Sequence, residues 1–135
     1  MKRRFCMLIS FALLSFLLCS CGSGRTDNVK ISIGNSTVYT VEEIESAMQT
    51  VTDYFQKEFI GCTLTELYYD ESNYQVINNW EETYPETEVI ILYSTFDVDA
   101  KGGDGSFDPN STYYKWQWIL TRSDGETWDL RNYGY

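Results

Sequence analysis

Apolar residues recur along this chain at two periods. Ile44, Met48, Val51, Phe55 and Phe59 fall three or four positions apart, which places them on one stripe of a helix. Ahead of the stripe, Thr40 and Glu43 have the spacing of a capping box, and Tyr39 and Ile44 that of a hydrophobic staple. Gly61 stands where such a helix would stop. The pattern predicts a helix over Val41 to Phe59.

Elsewhere the period is two. Val29–Ile33 alternates like a short strand and runs into the turn signal Gly34-Asn35-Ser36. Cys62–Tyr69 reads as a strand whose alternation slips at Thr65-Glu66; a bulge there returns Leu67 and Tyr69 to the inner face. Ser72–Tyr84 is a shorter helix candidate, with Tyr74, Ile77 and Trp80 on one face and Pro85 beyond it. Glu88–Val98 is apolar on both sides, Val89, Ile91 and Tyr93 against Ile90, Leu92 and Phe96. That predicts a central strand, covered on both faces over part of its length.

After a polar, Gly-rich loop over Ala100–Ser111 comes a hairpin. Trp116, Trp118 and Leu120 share one face of its first strand, and Trp128 and Leu130 one face of its second. A three-residue loop, Ser123-Asp124-Gly125, keeps both sets on the core side by pairing Leu120 with Trp128 and Trp118 with Leu130. Gly125 then takes the left-handed position of a bulged turn. Together these elements predict an α+β roll, an antiparallel sheet curled around the long helix and ending in a Trp-rich hairpin.

The first twenty residues follow a different rule. Met1-Lys2-Arg3-Arg4 is cationic, and Phe5–Leu18 is an almost unbroken apolar run. As a helix that run rises about 21 Å, short of the roughly 30 Å hydrocarbon core, which suits a cleaved signal peptide. The ending Leu18-Cys19-Ser20-Cys21 resembles a lipobox, with Cys19 where a smaller residue is commoner. The resemblance implies a signal peptide over 1–20, lipidation at Cys21, and a flexible tether over 21–28 ahead of a single domain over 29–135. An ordinary signal peptide cut near Ser20 or Ser23 is the simpler alternative. On the lipoprotein reading the location is the outer face of the cell membrane, and the lipid anchor is the membrane contact.

Charge narrows the partners. Loss of residues 1–20 takes Lys2, Arg3 and Arg4 and no acid, leaving 7 basic against 20 acidic residues. A chain this acidic without a basic patch is not expected to bind nucleic acid or to adsorb on anionic headgroups. Cysteine usage is equally restrictive: beyond Cys21 only Cys62 remains, and the chain has no histidine to activate it. Cys62 reads as a small buried residue rather than a nucleophile.

Phe59–Leu67, Ser94–Asp99 through Gly102–Ser106, Asn110–Tyr113 and the segment Trp116-Gln117-Trp118-Ile119-Leu120 resemble a group of small lipoproteins of Gram-positive gut bacteria. The resemblance implies a cystatin-like roll of the nuclear-transport-factor type. It implies no activity.

Three kinds of chemistry remain as candidates. Asp97, Asp99 and Asp104 sit in a loop with part of the spacing of a calcium site, but Lys101 falls where a ligand oxygen is needed and the flanks are strands. The plainer reading is a hairpin loop built on Gly and Asp turn chemistry. Tyr68, Tyr93, Trp116, Trp118 and Trp128 are candidates to line a pocket for a small apolar or carbohydrate ligand, against the plainer reading of core packing. Tyr113, Tyr114, Tyr133 and Tyr135 would mark a partner surface if exposed. Glu58, Glu66, Asp70, Glu71, Glu81 and Glu82 are numerous carboxylates, but their spacing singles out no catalytic pair. The reading is a non-catalytic binding or accessory module for an envelope protein or small ligand. A cyclase- or isomerase-type enzyme using a Tyr–Asp pair and a calcium-dependent adhesion module are the alternatives.

Overall fold

The computed structural model describes residues 23–135, so the segment expected to be a signal peptide, and Cys21, the expected lipidation site, lie outside the described residues. The strands are β1 (Lys30–Ser32), β2 (Cys62–Tyr69), β3 (Glu88–Val98), β4 (Thr112–Arg122) and β5 (Asp129–Gly134), and the helices α1 (Val41–Glu58) and α2 (Tyr74–Thr83). They form an α+β domain on one five-stranded sheet of order β1-β2-β3-β4-β5. The sheet is open, with β1 and β5 at its edges. No helix among the described residues is long and apolar enough to cross a membrane.

The capping box is formed: Glu43 N–H donates to Thr40 Oγ1 (3.2 Å) and Thr40 N–H to the Glu43 carboxylate (2.8 Å). Two first-turn donors are thereby satisfied. The predicted stripe is the buried one, with Ile44, Met48, Val51, Phe55 and Phe59 all in the main core. Gly61, at φ +72°, turns the chain into β2. The bulge in β2 falls at Thr65, where the register shifts between Leu64 and Glu66, and Leu67 is fully buried as the slip required.

β3 is the central strand and is covered on both faces. Ile90, Leu92 and Phe96 face α1, while Val89, Ile91 and Tyr93 form a second cluster beneath Val76, Ile77, Trp80 and Tyr84 of the α2 segment. The two helices therefore lie on opposite faces, and α2 covers only part of its face. Tyr74, read as a member of the buried face of α2, is 69% exposed.

Three expectations are corrected. The sheet is mixed, not antiparallel: β1 pairs parallel with β2. Two adjacent strands joined through a helical crossover take that direction, because a crossover, unlike a hairpin, carries the chain back to the end where it began. The hairpin register also differs. Leu120 pairs with Leu130 and Trp118 with Tyr133, leaving a six-residue connection from Ser123 to Trp128. Trp128 has left the ladder because it is held elsewhere. Its Nε1–H donates to the Glu43 carbonyl (3.1 Å), and the Arg122 guanidinium lies 4.3 Å over its ring. Gly125 keeps its positive φ (+71°), inside a turn closed by Glu126 N–H on the Ser123 carbonyl (2.9 Å).

The third correction concerns the tether. From Gly24 onward the segment is seated on the domain, with Gly24 buried and Arg25 bridged in parallel to Thr63.

Candidate functional site

The five aromatic residues proposed to line one pocket are split by the sheet. Trp118 is fully buried on the α1 face, where its Nε1–H donates to Ser94 Oγ (2.8 Å). Trp128 caps the other end of that core against α1. Trp116, also on the α1 face, borders a cleft of about 300 Å³ with Phe59, Phe107 and Tyr133, and Glu58, Asp104 and Ser106 at the rim. Its buried Nε1–H has no hydrogen-bond partner. Tyr68 and Tyr93 lie on the opposite face, next to the part of the sheet that α2 leaves open. The aromatic core between sheet and α1 is filled, so no single cone-shaped pocket gathers the set.

The open part of the α2 face carries the better-built site. β2 and β3 place Tyr68 opposite Tyr93, and the rings stack 5.6 Å apart at 21°. They form one wall of a cleft of about 330 Å³ completed by Asp70, Ser72, Asn73 and Lys115. Tyr93 is 7% exposed, and its hydroxyl makes no hydrogen bond within the protein. A buried hydroxyl without a partner is costly, on the order of 1–3 kcal/mol. It is a polar group whose need for a partner the protein's own side chains leave unmet.

Lys115 reaches this cleft through a second bulge. Ser94 pairs with Trp116 and Phe96 with Tyr113, so Tyr114 and Lys115 together face the single residue Thr95. Lys115 takes φ +53°, a left-handed conformation rare for a lysine. Bulges re-aim side chains, and strained backbone gathers at functional positions. The Lys115 side chain is in no ion pair among the described residues.

Asp70 supplies the opposite charge. Ser72 N–H donates to its Oδ1 (2.9 Å), and hydrogen bonds from Ser72 hold the carboxyl below its usual range. Asn73 caps α2 by accepting from Val76 N–H (3.4 Å), so the positive end of that helix opens at the rim. Burial, followed by the nearby Asp70 and Tyr68, raises the Tyr93 phenol, and Tyr68 is raised by burial, Glu66 and Asp70. At neutral pH the cleft therefore presents neutral phenols and a carboxylate beside the Lys115 side chain. That set binds polar or charged groups; a carboxyl pushed down rather than up is poorly matched to general acid work.

The remaining candidates are placed apart from this cleft. Asp97 accepts from Thr112 Oγ1 (2.6 Å), Asp99 from the N–H groups of Lys101 and Gly103 (both 3.0 Å), and Asp104 from Ser106 N–H (3.0 Å). Asp99 and Asp104 are engaged in local turn bonding and Asp97 in a cross-strand bond, and no group of three or more acidic residues among the described residues is arranged to share a metal ion. Cys62 is buried, and burial with the nearby Asp99 and Asp104 pushes its thiol up to about 11. Tyr114, Tyr133 and Tyr135 are exposed, whereas Tyr113 stacks on Phe96 (5.1 Å, 6°).

Sequence reasoning reached Tyr68 and Tyr93 but missed Ser72, Asn73 and Lys115, and it left Asp70 undistinguished among six carboxylates. One signal for Lys115 was present. Tyr113 and Trp116 are both core aromatics three positions apart, which a regular strand cannot place on one face without an extra residue. Compared with known proteins, the chain matches no family model, no curated protein and no solved structure.

Proposed function

We propose that the chain is a membrane-anchored extracytoplasmic lipoprotein, lipidated at Cys21, whose domain is a non-catalytic binding module. The observation that carries the binding reading is the cleft that sets Asp70 beside Lys115, which takes a left-handed conformation and is in no ion pair among the described residues. The anchor is supported by the cationic start, the 14-residue apolar run and the Leu-x-Ser-Cys ending. The domain reads further as a cystatin-like roll of the small-lipoprotein group named above. Supporting this are α1 packed on one face and bulges at Thr65, at Tyr114–Lys115 and beside Ile119, which increase local strand bending.

The ligand is a small polar molecule or an envelope-protein segment that offers both a donor to Asp70 and an acceptor to Lys115. The test is recovery from native envelope by the full lipidated chain, compared with Lys115→Glu and Tyr93→Phe. A species retained by the wild type and lost at least tenfold by Lys115→Glu is expected. Equal recovery by all three chains would remove the cleft from the function.

A further inference from the structure

Residues 24–26 do not behave as a linker. Gly24 N–H donates to the Gln56 carbonyl (2.9 Å), and a Cβ at Gly24 would stand 2.2 Å from the Phe55 carbonyl oxygen, so only glycine fits the seat. Arg25 N–H donates to the Cys62 carbonyl (2.9 Å), and the Arg25 carbonyl accepts from Leu64 N–H (2.8 Å). Gln56 lies in the last turn of α1, and Cys62 and Leu64 lie at the start of β2. The chain thus joins the folded domain at one defined end.

The antiparallel registers show what else stands at that end. Val98 lies opposite Cys62 and Thr112 opposite Asp97, so the connection from Asp99 to Ser111 is there. It packs back on the helix–strand turn through Asp99 N–H on the Gly61 carbonyl (3.0 Å). Tyr135 follows β5 to the same end, its ring 5.3 Å from Trp116 and 6.2 Å from Tyr113. Tyr135 is 76% exposed, Tyr114 65% and Ile60 38%. Tyrosines with an apolar body and a polar tip suit the headgroup layer of a bilayer.

We infer that this end of the domain faces and touches the membrane, with Ile60, Tyr114 and Tyr135 at headgroup level. The inference rests on the anchor at Cys21 proposed above. Cys21 is three Cα steps before Gly24, a reach of about 10 Å. That is shorter than the radius of gyration of a domain this size, about 13 Å, so the domain cannot stand on its opposite end with this end held away from the bilayer. Asp99, Asp104 and Asp108 border the same end, which selects a zwitterionic lipid surface over an anionic one. The turn Ser123–Glu126 and the Glu86 corner then point away from the membrane, and the Tyr68–Tyr93–Lys115 cleft opens sideways above it.

The test is depth-dependent quenching of the full lipidated chain in phosphatidylcholine vesicles that carry a headgroup-level quencher. Single labels are placed at Ser106→Cys and Tyr114→Cys, and at Glu86→Cys and Asp124→Cys at the far end. Buried Cys62 stays unmodified. Quenching at positions 106 and 114 is expected to exceed that at 86 and 124 by threefold or more. Gly24→Val, which cannot keep its seat against Phe55, is expected to level that contrast while the chain stays on the vesicles. Equal quenching at both ends in a vesicle-bound chain would overturn the orientation and leave the anchor standing. Failure of the wild type to float with vesicles, as expected only of Cys21→Ala, would overturn the anchor.

Discussion

At the scale of single residues, the interior of this domain depends on a few polar side chains with defined partners. Ser94 is fully buried, and its hydroxyl is the acceptor for the indole N–H of fully buried Trp118. Ser94→Ala leaves that N–H with no partner and is expected to cost about 1–3 kcal/mol in a denaturant melt. Loss of less than half a kcal/mol would show that water or another group takes over. Glu71 plays a comparable part at the surface. It accepts from Thr37 N–H and Thr37 Oγ1 (both 2.8 Å), Ser36 Oγ (2.9 Å) and Tyr69 Oη (2.9 Å). These bonds, the Thr37 N–H foremost, hold its carboxyl down to about 2. A carboxyl lower in the folded than in the unfolded chain contributes stability above about pH 4.5, and that contribution is lost as pH falls toward 2. The melting difference between wild type and Glu71→Gln should be constant above pH 5 and vanish near pH 2. A difference that persists at pH 2 would mean the glutamine is penalised for another reason. The gain is small because the group is partly open to solvent.

At the scale of elements, the legible features were those set by local chemistry. α1 was readable because its cap, stripe and stop agree, and the β2 bulge because Leu67 and Tyr69 had to reach the core. The hairpin register was not readable, since the residue that decides it, Trp128, is held by Glu43 and Arg122, far from it or outside its strand in sequence. Arg122 is the centre of that arrangement: its side chain is 10% exposed, it pairs with Glu43 and with Glu88 (2.7 Å), and it covers the Trp128 ring. Arg122→Met removes the charge but keeps much of the volume, and it leaves the Glu43 and Glu88 carboxylates without their shared cation between α1 and β3. A melting point lower by several degrees is expected, together with a shift of the tryptophan emission as the Trp128 indole loses the guanidinium over its ring. An unchanged emission spectrum would show that the tryptophan is held by its bond to the Glu43 carbonyl alone. The cleft was half legible for a related reason. Tyr68 and Tyr93 were visible as aromatics, but what sets them beside Lys115 is a bulge that alternation within one strand does not announce.

At the scale of the whole molecule, charge is the dominant feature. Twenty acids against seven bases over residues 21–135 make the folded domain repel itself. Salt therefore screens a net repulsion rather than a net attraction, and stability is expected to rise between 20 and 300 mM sodium chloride. Calcium enters on the same terms. Asp97, Asp99 and Asp104 each commit Oδ1, to Thr112, to the N–H groups of Lys101 and Gly103, and to Ser106, and these bonds hold the three carboxylates in local arrangements that do not converge on one ion. At matched ionic strength the melting midpoint in calcium should equal that in magnesium. A further rise specific to calcium, growing with its concentration as ligand binding requires, would establish a site in the Asp97–Asp108 loop and reopen the adhesion reading. Because that loop lies at the end inferred to face the lipid, the comparison is best repeated on vesicles. A calcium effect confined to the vesicle-bound chain would then place the ion between loop and headgroups, not within the fold.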